Sequence, residues 1–558
     1  MNGTPHTLLA NLNLIATAPD GVARLRELIL TLAVQGKLVP QDPNDEPARE
    51  LLKKMRAEKD RLIAEGKIKR DKTLAEIAED EAPFLAPSGW EWVTFGVIAG
   101  IERGGSPRPI ESYLTDAPDG LNWIKIGDTD KGGKYITSTR EKIRREGLTK
   151  TRMVFPGDFL LTNSMSFGRP YITQIEGCIH DGWLRISPPS SLNKDYLFAL
   201  LSSQFIRQLF VAAAAGGVVL NLNADKVRNV PIPLPPLAEQ ARIVTRVEEL
   251  MRLCDALEAK GRLEATQHAQ LVATLLAGLT DCATAEELAE HWQRVAEHFD
   301  LLFDRPEAVD ALQQTILQLA VRGLLVPQDP NDEPASELLK KIRAEKDRLI
   351  TEGKIKRDKP LPPIADEEKP FELPNGWVRV RMGHLIELVS GQHLGPSEYL
   401  EGPGAKVPYL TGPAEFGAVT PMPSRSTNER RAIAIQHDIL ITVKGSGVGK
   451  LNVVTQRELA ISRQLMAIRP LTMDCEFLMV VLQTMALHFQ ERSIGIAIPG
   501  IGREDVTHAA IGLPPLAEQS RIVARVTSLR ALCADLRERL TAARVAKSRF
   551  ASAAIASA

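Results

Sequence analysis

In this sequence of 558 residues, the side chains that come nearest to a catalytic arrangement lie at 444–451, KGSGVGKL. A phosphate-binding loop, G-x-x-x-x-G-K-[ST], wraps backbone N–H groups around phosphate, aims a lysine at it and gives a hydroxyl to magnesium. Here three residues separate Gly445 from Gly449, and Leu451 stands where the hydroxyl is needed, so the chemistry is lost. The ten histidines include no H-E-x-x-H pair, and no acid-rich cluster with a lysine forms a nuclease core. The tetrapeptide (N/D)PP(F/Y), which holds the target amine in amino-methyltransferases, is absent, and no G-x-G-x-x-G follows a strand in a βαβ unit. The five cysteines (Cys178, Cys254, Cys282, Cys475 and Cys533) are too scattered for a disulfide framework or a zinc site and read as reduced thiols. No residue is left as a catalytic or metal-binding candidate.

What remains is a set of polar loops rich in hydrogen-bonding groups. Arg103, Gly105, Ser106 and Arg108 form a tight loop after an apolar strand; Asn163, Ser164, Ser166 and Arg169 follow another; Asn221 and Asn223 precede Pro231. In the second half, Gln392 and His393, then Lys444, Ser446 and Lys450, then Arg503, stand at corresponding places. Glycine, serine and asparagine in such loops also serve simply to make turns.

The elements that must position these loops come in two copies. Residues 36–72 return at 323–359 with four changes (Lys37/Leu324, Arg49/Ser336, Met55/Ile342, Ala64/Thr351), and LPPLAEQARIVTRV at 234–247 returns as LPPLAEQSRIVARV at 513–526. After the paired prolines, apolar residues recur in steps of four and three: Ile243, Val247, Leu250, Cys254 and Leu257, then Ile522, Val526, Leu529, Cys533 and Leu536. This is a heptad seam, and it predicts helices of 35 or more residues, roughly 50 Å long at about 1.5 Å per residue. An upstream stripe, Leu25, Ile29 and Leu32, matches Leu312, Ile316 and Leu319. The PQDPNDEPA segments cannot continue a helix and read as corners. Between the repeats the chain does not repeat: runs such as LNWIKIG, GDFLLTN, PYITQIEG, VPYLTG, HDILITVKG and LAISRQLMAIRP predict strands, with helices at 195–213 and 474–491.

These features together resemble the specificity subunit of bacterial type I restriction-modification systems. The likeness rests on the doubled LPPLAEQ(A/S)RIV helix, the P-x-G-W openings at Pro87 and Pro374, the GDFLLTNSMSFGR and HDILITVKGSGVGK segments and the doubled LVPQDPNDEPA. It implies an α+β fold: two globular α+β target recognition domains separated by long antiparallel coiled-coil helices in a pseudo-two-fold internal repeat. The expected domains are an N-terminal conserved helical region at 1–86, recognition domain 1 at 87–233, a central conserved region with its long helix at 234–372, recognition domain 2 at 373–512 and a C-terminal conserved helix at 513–558.

The resemblance implies a subunit without catalysis, each recognition domain reading half of a bipartite, asymmetric site in double-stranded DNA. The partners implied are two modification subunits, which methylate adenine N6, and two restriction subunits, with S-adenosylmethionine, ATP and magnesium bound by those partners and no cofactor in this chain. The polar loop residues named above then become the expected DNA contacts, by donor and acceptor matching to base edges or by holding phosphates. Electrostatics alone does not point to DNA: the net charge is -1, and residues 87–229 and 373–512 carry about +3 and +1. No apolar run reaches the roughly 18 residues of a membrane span, and the expected location is cytoplasmic. A coiled-coil scaffold of another complex, without sequence-specific DNA binding, is the alternative reading.

Overall fold

The computed structural model describes residues 11–65, 77, 82–130, 132–163, 167–214, 222–418, 420–445, 447–486, 489–490 and 500–556. The chain forms two compact units, one of Met1–Leu263 with Arg544–Ala558 and one of Glu264–Ala543.

The first unit opens with the helices Leu12–Ala16 and Gly21–Val34, the second of which buries Leu25 and Ile29. Gly36 ends that helix in the left-handed region, φ 68°, and a Cβ there would lie 2.5 Å from the Pro87 ring and 3.0 Å from Trp90. Only glycine satisfies both the angle and the approach. The proline corner then delivers the helix Ala48–Ala64, whose first N–H, of Ala48, reaches the Gly89 carbonyl at 2.9 Å. Its apolar face is thin, Leu51, Leu52 and Met55.

The strand Glu91–Thr94 pairs antiparallel with Pro231–Leu234, so the two ends of the variable segment are tied together. Between them stands a five-stranded sheet in the order Gly100–Arg103, Trp183–Ser187, Phe159–Thr162, Pro170–Thr173, Tyr135–Ile136. A four-stranded sheet runs Glu141–Ile143, Leu121–Ile124, Gly177–Ile179, Arg152–Val154. Phe159–Thr162 is buried at every residue, which explains its unbroken apolar sequence.

The second unit repeats the plan. Gly323 has φ 73°, a Cβ there would lie 2.5 Å from Pro374 and 3.0 Å from Trp377, and the Ala335 N–H reaches the Gly376 carbonyl at 2.9 Å. Val378–Arg381 pairs with Ala510–Leu513. A four-stranded sheet runs Ile386–Ser390, Leu465–Pro470, Ile439–Thr442, Leu451–Val453, and a five-stranded one runs Tyr399–Glu401, Arg425–Thr427, Val407–Leu410, Glu458–Ile461, Ile433–Ile435.

Two expected elements split. LAISRQLMAIRP is two strands in different sheets, because a turn closed by Leu465 N–H on the Ser462 carbonyl, 2.9 Å, separates them. The helix expected at 195–213 is Lys194–Ser202 and Gln204–Ala214, bent by 64° at Ser203. The Ser203 hydroxyl donates to Leu200 O at 2.6 Å and accepts from the Ile206 N–H at 3.3 Å, capping both pieces. No single helix among the described residues is long and apolar enough to cross a membrane.

The long helices are Leu237–Thr280, 44 residues, and Leu516–Ala556, 41 residues. Each contributes its first part to one unit and its last part to the other. Of the seam, Ile243, Val247, Cys254, Ile522, Val526 and Cys533 are buried, while Leu250, Leu257, Leu529 and Leu536 are half-buried. The first-unit core joins Val247 and Cys254 with Ala551, and the second-unit core joins Val526 and Cys533 with Val272 and Leu276. The two matched cysteines therefore act as small apolar groups.

The LAEQ-x-R sequence explains why it is repeated. Glu239 and Gln240, 1% and 0% exposed, begin the first long helix. Glu239 accepts the Trp90 indole N–H at 2.9 Å and the Gln41 amide at 3.1 Å, and Gln41 also donates to Gly36 O at 2.7 Å. Gln240 accepts from the Asn193 N–H at 3.1 Å and donates to Pro235 O at 2.9 Å, while Arg242 holds Asp45 at 2.6 and 3.2 Å. The second copy reproduces this bond for bond: Trp377 to Glu518 at 3.0 Å, Gln328 to Glu518 at 3.2 Å, the Asp474 N–H to Gln519 at 2.9 Å, and Arg521 to Asp332 at 2.6 and 3.3 Å. Burial pushes both carboxyls above the ordinary glutamate range in spite of these donors.

Removing the indole donor leaves a buried carboxylate with one side-chain amide, of Gln41 at Glu239 or Gln328 at Glu518, as its remaining hydrogen bond. Trp90→Phe and Trp377→Phe are therefore expected to cost about 1–3 kcal/mol each, read as a lower denaturation midpoint. A carboxyl whose folded pKa is raised is least favourable when ionised, above that pKa. Loss of the donor raises it further. The deficit should accordingly shrink as the pH falls from about 7 into the ordinary carboxylate range, and a deficit that grows there would contradict the assignment.

Candidate nucleic-acid interface

The polar loops of each unit hang on one hydrogen-bonded frame. In the first, the strap after the strand Gly100–Arg103 is fixed by Gly104 N–H to Trp183 O at 2.9 Å and Gly105 N–H to Ile179 O at 3.2 Å. A Cβ on Gly104 would lie 2.2 Å from His180 O, and one on Gly105 2.5 Å from Lys150 O, so this strap needs both glycines. The hairpin after Phe159–Thr162 closes with Thr162 N–H to Arg169 O at 3.1 Å and Gly168 N–H to Thr162 O at 2.9 Å. Asn163 N–H reaches Gly182 O at 3.0 Å, and the Leu222 N–H returns to Asn163 O at 3.2 Å. Strap, hairpin, the 180–183 turn and the segment before the Ala224–Arg228 helix thus meet.

The second unit builds the same frame with other side chains. Gly391 N–H reaches Leu465 O and Gln392 N–H reaches Ile461 O, both at 3.0 Å. The hairpin closes with Thr442 N–H to Lys450 O at 2.9 Å and Gly449 N–H to Thr442 O at 3.0 Å; Val443 N–H reaches Gln464 O at 2.8 Å, and Ile501 N–H returns to Val443 O at 3.0 Å. A Cβ on Gly391 would lie 2.0 Å from Ser462 O. Position for position, Arg103 stands with Ser390, Gly105 with Gln392, Ser106 with His393, and Asn163 with Val443.

The expected contact residues divide by what their side chains already do. Asn163 is 2% exposed and donates its amide to Asp181 O at 2.7 Å, a structural duty that Val443 fills by apolar packing in the other unit. Asn223 is exposed, but its carbonyl oxygen caps the Ala224–Arg228 helix by accepting from the Lys226 N–H at 2.8 Å. Arg503 donates to Leu388 O at 2.8 Å and to the Ser390 hydroxyl at 2.9 Å, and so holds its own domain together. Arg169 is half-buried with its guanidinium 5.4 Å from the Tyr171 ring centre. Gln392, His393, Lys444 and Lys450 are exposed on the strap and hairpin. Ser164, Ser166, Asn221 and Ser446 lie outside the described residues.

Sequence reasoning missed the residues at the centre of each frame. In the first unit this is Asp181: it accepts the Ser106 hydroxyl at 2.7 Å, lies 3.7 Å from the Arg108 guanidinium, and its carbonyl receives Arg103 Nε–H at 3.3 Å as well as Asn163. The Ser106 hydroxyl, more than any charge, holds its carboxyl below the ordinary aspartate range. In the second unit the centre is Arg463, exposed. Neither is marked in the sequence, since only strand register brings 181 beside 103–108 and 463 beside 390–393. A chemically possible arrangement follows: rigid straps and hairpins presenting arginine, lysine, glutamine and serine groups at one end of a sheet, the donor set that base edges and phosphates require.

Comparison with known proteins bears on this arrangement. The family whose model matches residues 87–267 and 374–543 is described as "Type I restriction modification DNA specificity domain". The chain is 45% identical over 392 residues to the type I restriction enzyme EcoAI specificity subunit of Escherichia coli, covering 66% of this chain and 63% of that one. It is 37% identical over 570 residues to the EcoEI specificity subunit of Escherichia coli, covering 96% of this chain and 93% of that one. A solved structure described as showing complex assembly and conformational transition of the type I R-M system shares the fold, with TM-score 0.50 and 22% identity, over 85% of this chain and 98% of that chain. The doubled frame, the doubled clamp and the two matched segments lead to one conclusion: the chain belongs to the family of type I restriction-modification DNA specificity subunits.

Proposed function

We propose that the two variable segments, 87–233 and 373–512, are separate readers of DNA, each recognising one half of a bipartite, asymmetric site. One observation carries this reading. The same backbone frame is built twice on near-identical clamps, while the side chains it presents differ at nearly every exposed place. Identical scaffolds with unlike faces suit the recognition of two unlike targets. As a member of its family the chain is a specificity subunit and not itself an enzyme. The long helices, 44 and 41 residues, are proposed to pack antiparallel, to dock two adenine-N6 modification subunits and to set the spacer between half-sites. Two restriction subunits complete the complex, and S-adenosylmethionine, ATP and magnesium belong to the partners.

Exchanging 89–233 for the corresponding segment of a related subunit should change one half-site and leave the other intact when methylated positions are mapped across a genome. A simultaneous change in both would show that the segments do not read independently. Purified alone, the chain should shift its target duplex weakly or not at all yet incorporate no methyl group from labelled S-adenosylmethionine; incorporation would refute the division of labour.

A third expectation concerns spacing. Four residues inserted between Leu257 and Gln267 lengthen the helix by about 6 Å, against about 3.4 Å per base pair. The spacer should grow by one or two base pairs while both half-sites keep their sequence. An unchanged spacer in an active complex would mean that helix length does not set it.

A further inference from the structure

The turns at 180–183 and 462–465 carry opposite charges at the same place. Each is closed by its fourth N–H on its first carbonyl, Trp183 to His180 at 3.1 Å and Leu465 to Ser462 at 2.9 Å. Each is pinned to its hairpin through the third residue, Gly182 or Gln464, and to its strap through the glycine that lies against the first residue's carbonyl. The strand pairing agrees, for Leu184 stands opposite Arg103 as Met466 stands opposite Ser390. Asp181 and Arg463 therefore occupy the second position of equivalent turns.

Their surroundings differ as their charges do. Asp181 is engaged by Ser106 and Arg108, and its side chain is 42% exposed. Arg463 has Ser390, Gln392 and His393 in the places of Arg103, Gly105 and Ser106, so its strap offers no carboxylate to pair with it. It is exposed, and no hydrogen bond or ion pair engages its side chain among the described residues. The nearby Arg503, by contrast, is tied to Leu388 O and Ser390.

A guanidinium is a planar fork of donors with no acceptor. On a turn closed by a backbone hydrogen bond, and with no partner among the described residues, it matches the edge that offers two acceptors side by side in the major groove, N7 and O6 of guanine. We propose that Arg463 is a specificity-determining residue that reads a guanine in the half-site of the second domain, and that Asp181, at the equivalent place, is a positioning residue that holds the 103–108 strap in the first. The proposal rests on the reading of the two segments as DNA-recognition domains.

The test uses the full chain in complex with its modification subunits, with methylation mapped over all sites and binding measured on duplexes varied one base pair at a time. Arg463→Ala should lower discrimination at one guanine of the second half-site by about fivefold to about 150-fold and leave the first half-site unchanged. Arg463→Lys, which keeps the charge and loses the fork, should relax the same position. Three results would overturn the assignment: an unchanged motif, a second half-site without guanine, or a loss uniform over all sequences with the salt slope reduced by about one, the mark of a phosphate contact. Replacing 374–512 as a whole separates the two levels. If that exchange changes the half-site and Arg463→Ala does not, only the role of Arg463 falls; if neither does, the reading of the segment as a recognition domain falls with it.

Discussion

Everything variable in this molecule depends on a buried carboxylate. Glu239 and Glu518 sit at the first turn of the two long helices, almost wholly out of water, and each is held by one indole and one amide from other parts of its unit. A buried charge is tolerated when its hydrogen bonds are in place and is costly when one is missing, so the geometry of corner, domain opening and helix start is fixed together. The neighbouring glutamine ties the same helix start to the backbone just before the domain's own helix, Asn193 or Asp474, and the arginine reaches the aspartate of the proline corner. Four short sequence motifs that look unrelated are thus parts of one joint.

This is why so much of the architecture could be read from sequence. The repeats 36–72 and 323–359 differ at four places, but the residues by which each meets its LPPLAEQ helix, Gln41 and Asp45 or Gln328 and Asp332, are the same in both, and a contact that must be made twice leaves the same residues twice. The heptad seam is legible for a simpler reason, since 3.6-residue periodicity is local. The recognition end was legible only in outline. Loops after apolar strands could be located, but which of their side chains are free depends on partners far along the chain. Asn163 looks like a reader and lies buried under Asp181; Val443 holds the same place without a polar group. Arg503 looks available and is tied to Leu388 and Ser390. Asp181 and Arg463 attract no notice until register brings each to the middle of its frame.

The near-neutral charge of the chain fits this division. Binding to phosphate in bulk calls for a broad positive surface, which a net charge of -1 does not supply. The exposed arginine, lysine and amide groups stand on turns held by backbone hydrogen bonds, and other positive charge is drawn into internal pairs such as Arg469 with Asp438 and Glu387.

The two straps also differ in how freely they can vary. At 104 and 391 the backbone passes so close to a turn carbonyl that a side chain has no room. At the next position the units part company: a Cβ at Gly105 would lie 2.5 Å from the Lys150 carbonyl oxygen, whereas the second unit carries an exposed glutamine there. With Gln392, His393 and Arg463 exposed on a frame that is held by backbone hydrogen bonds, the second domain has three places where new chemistry can be introduced without refolding, while the Gln464 amide packs against Gly412. In the first, the serine, the aspartate and both glycines are structural. Side-chain variation, whether by natural drift or in a designed library, therefore has an easier route through the strap and turn of the C-terminal half of this chain than through those of the N-terminal half.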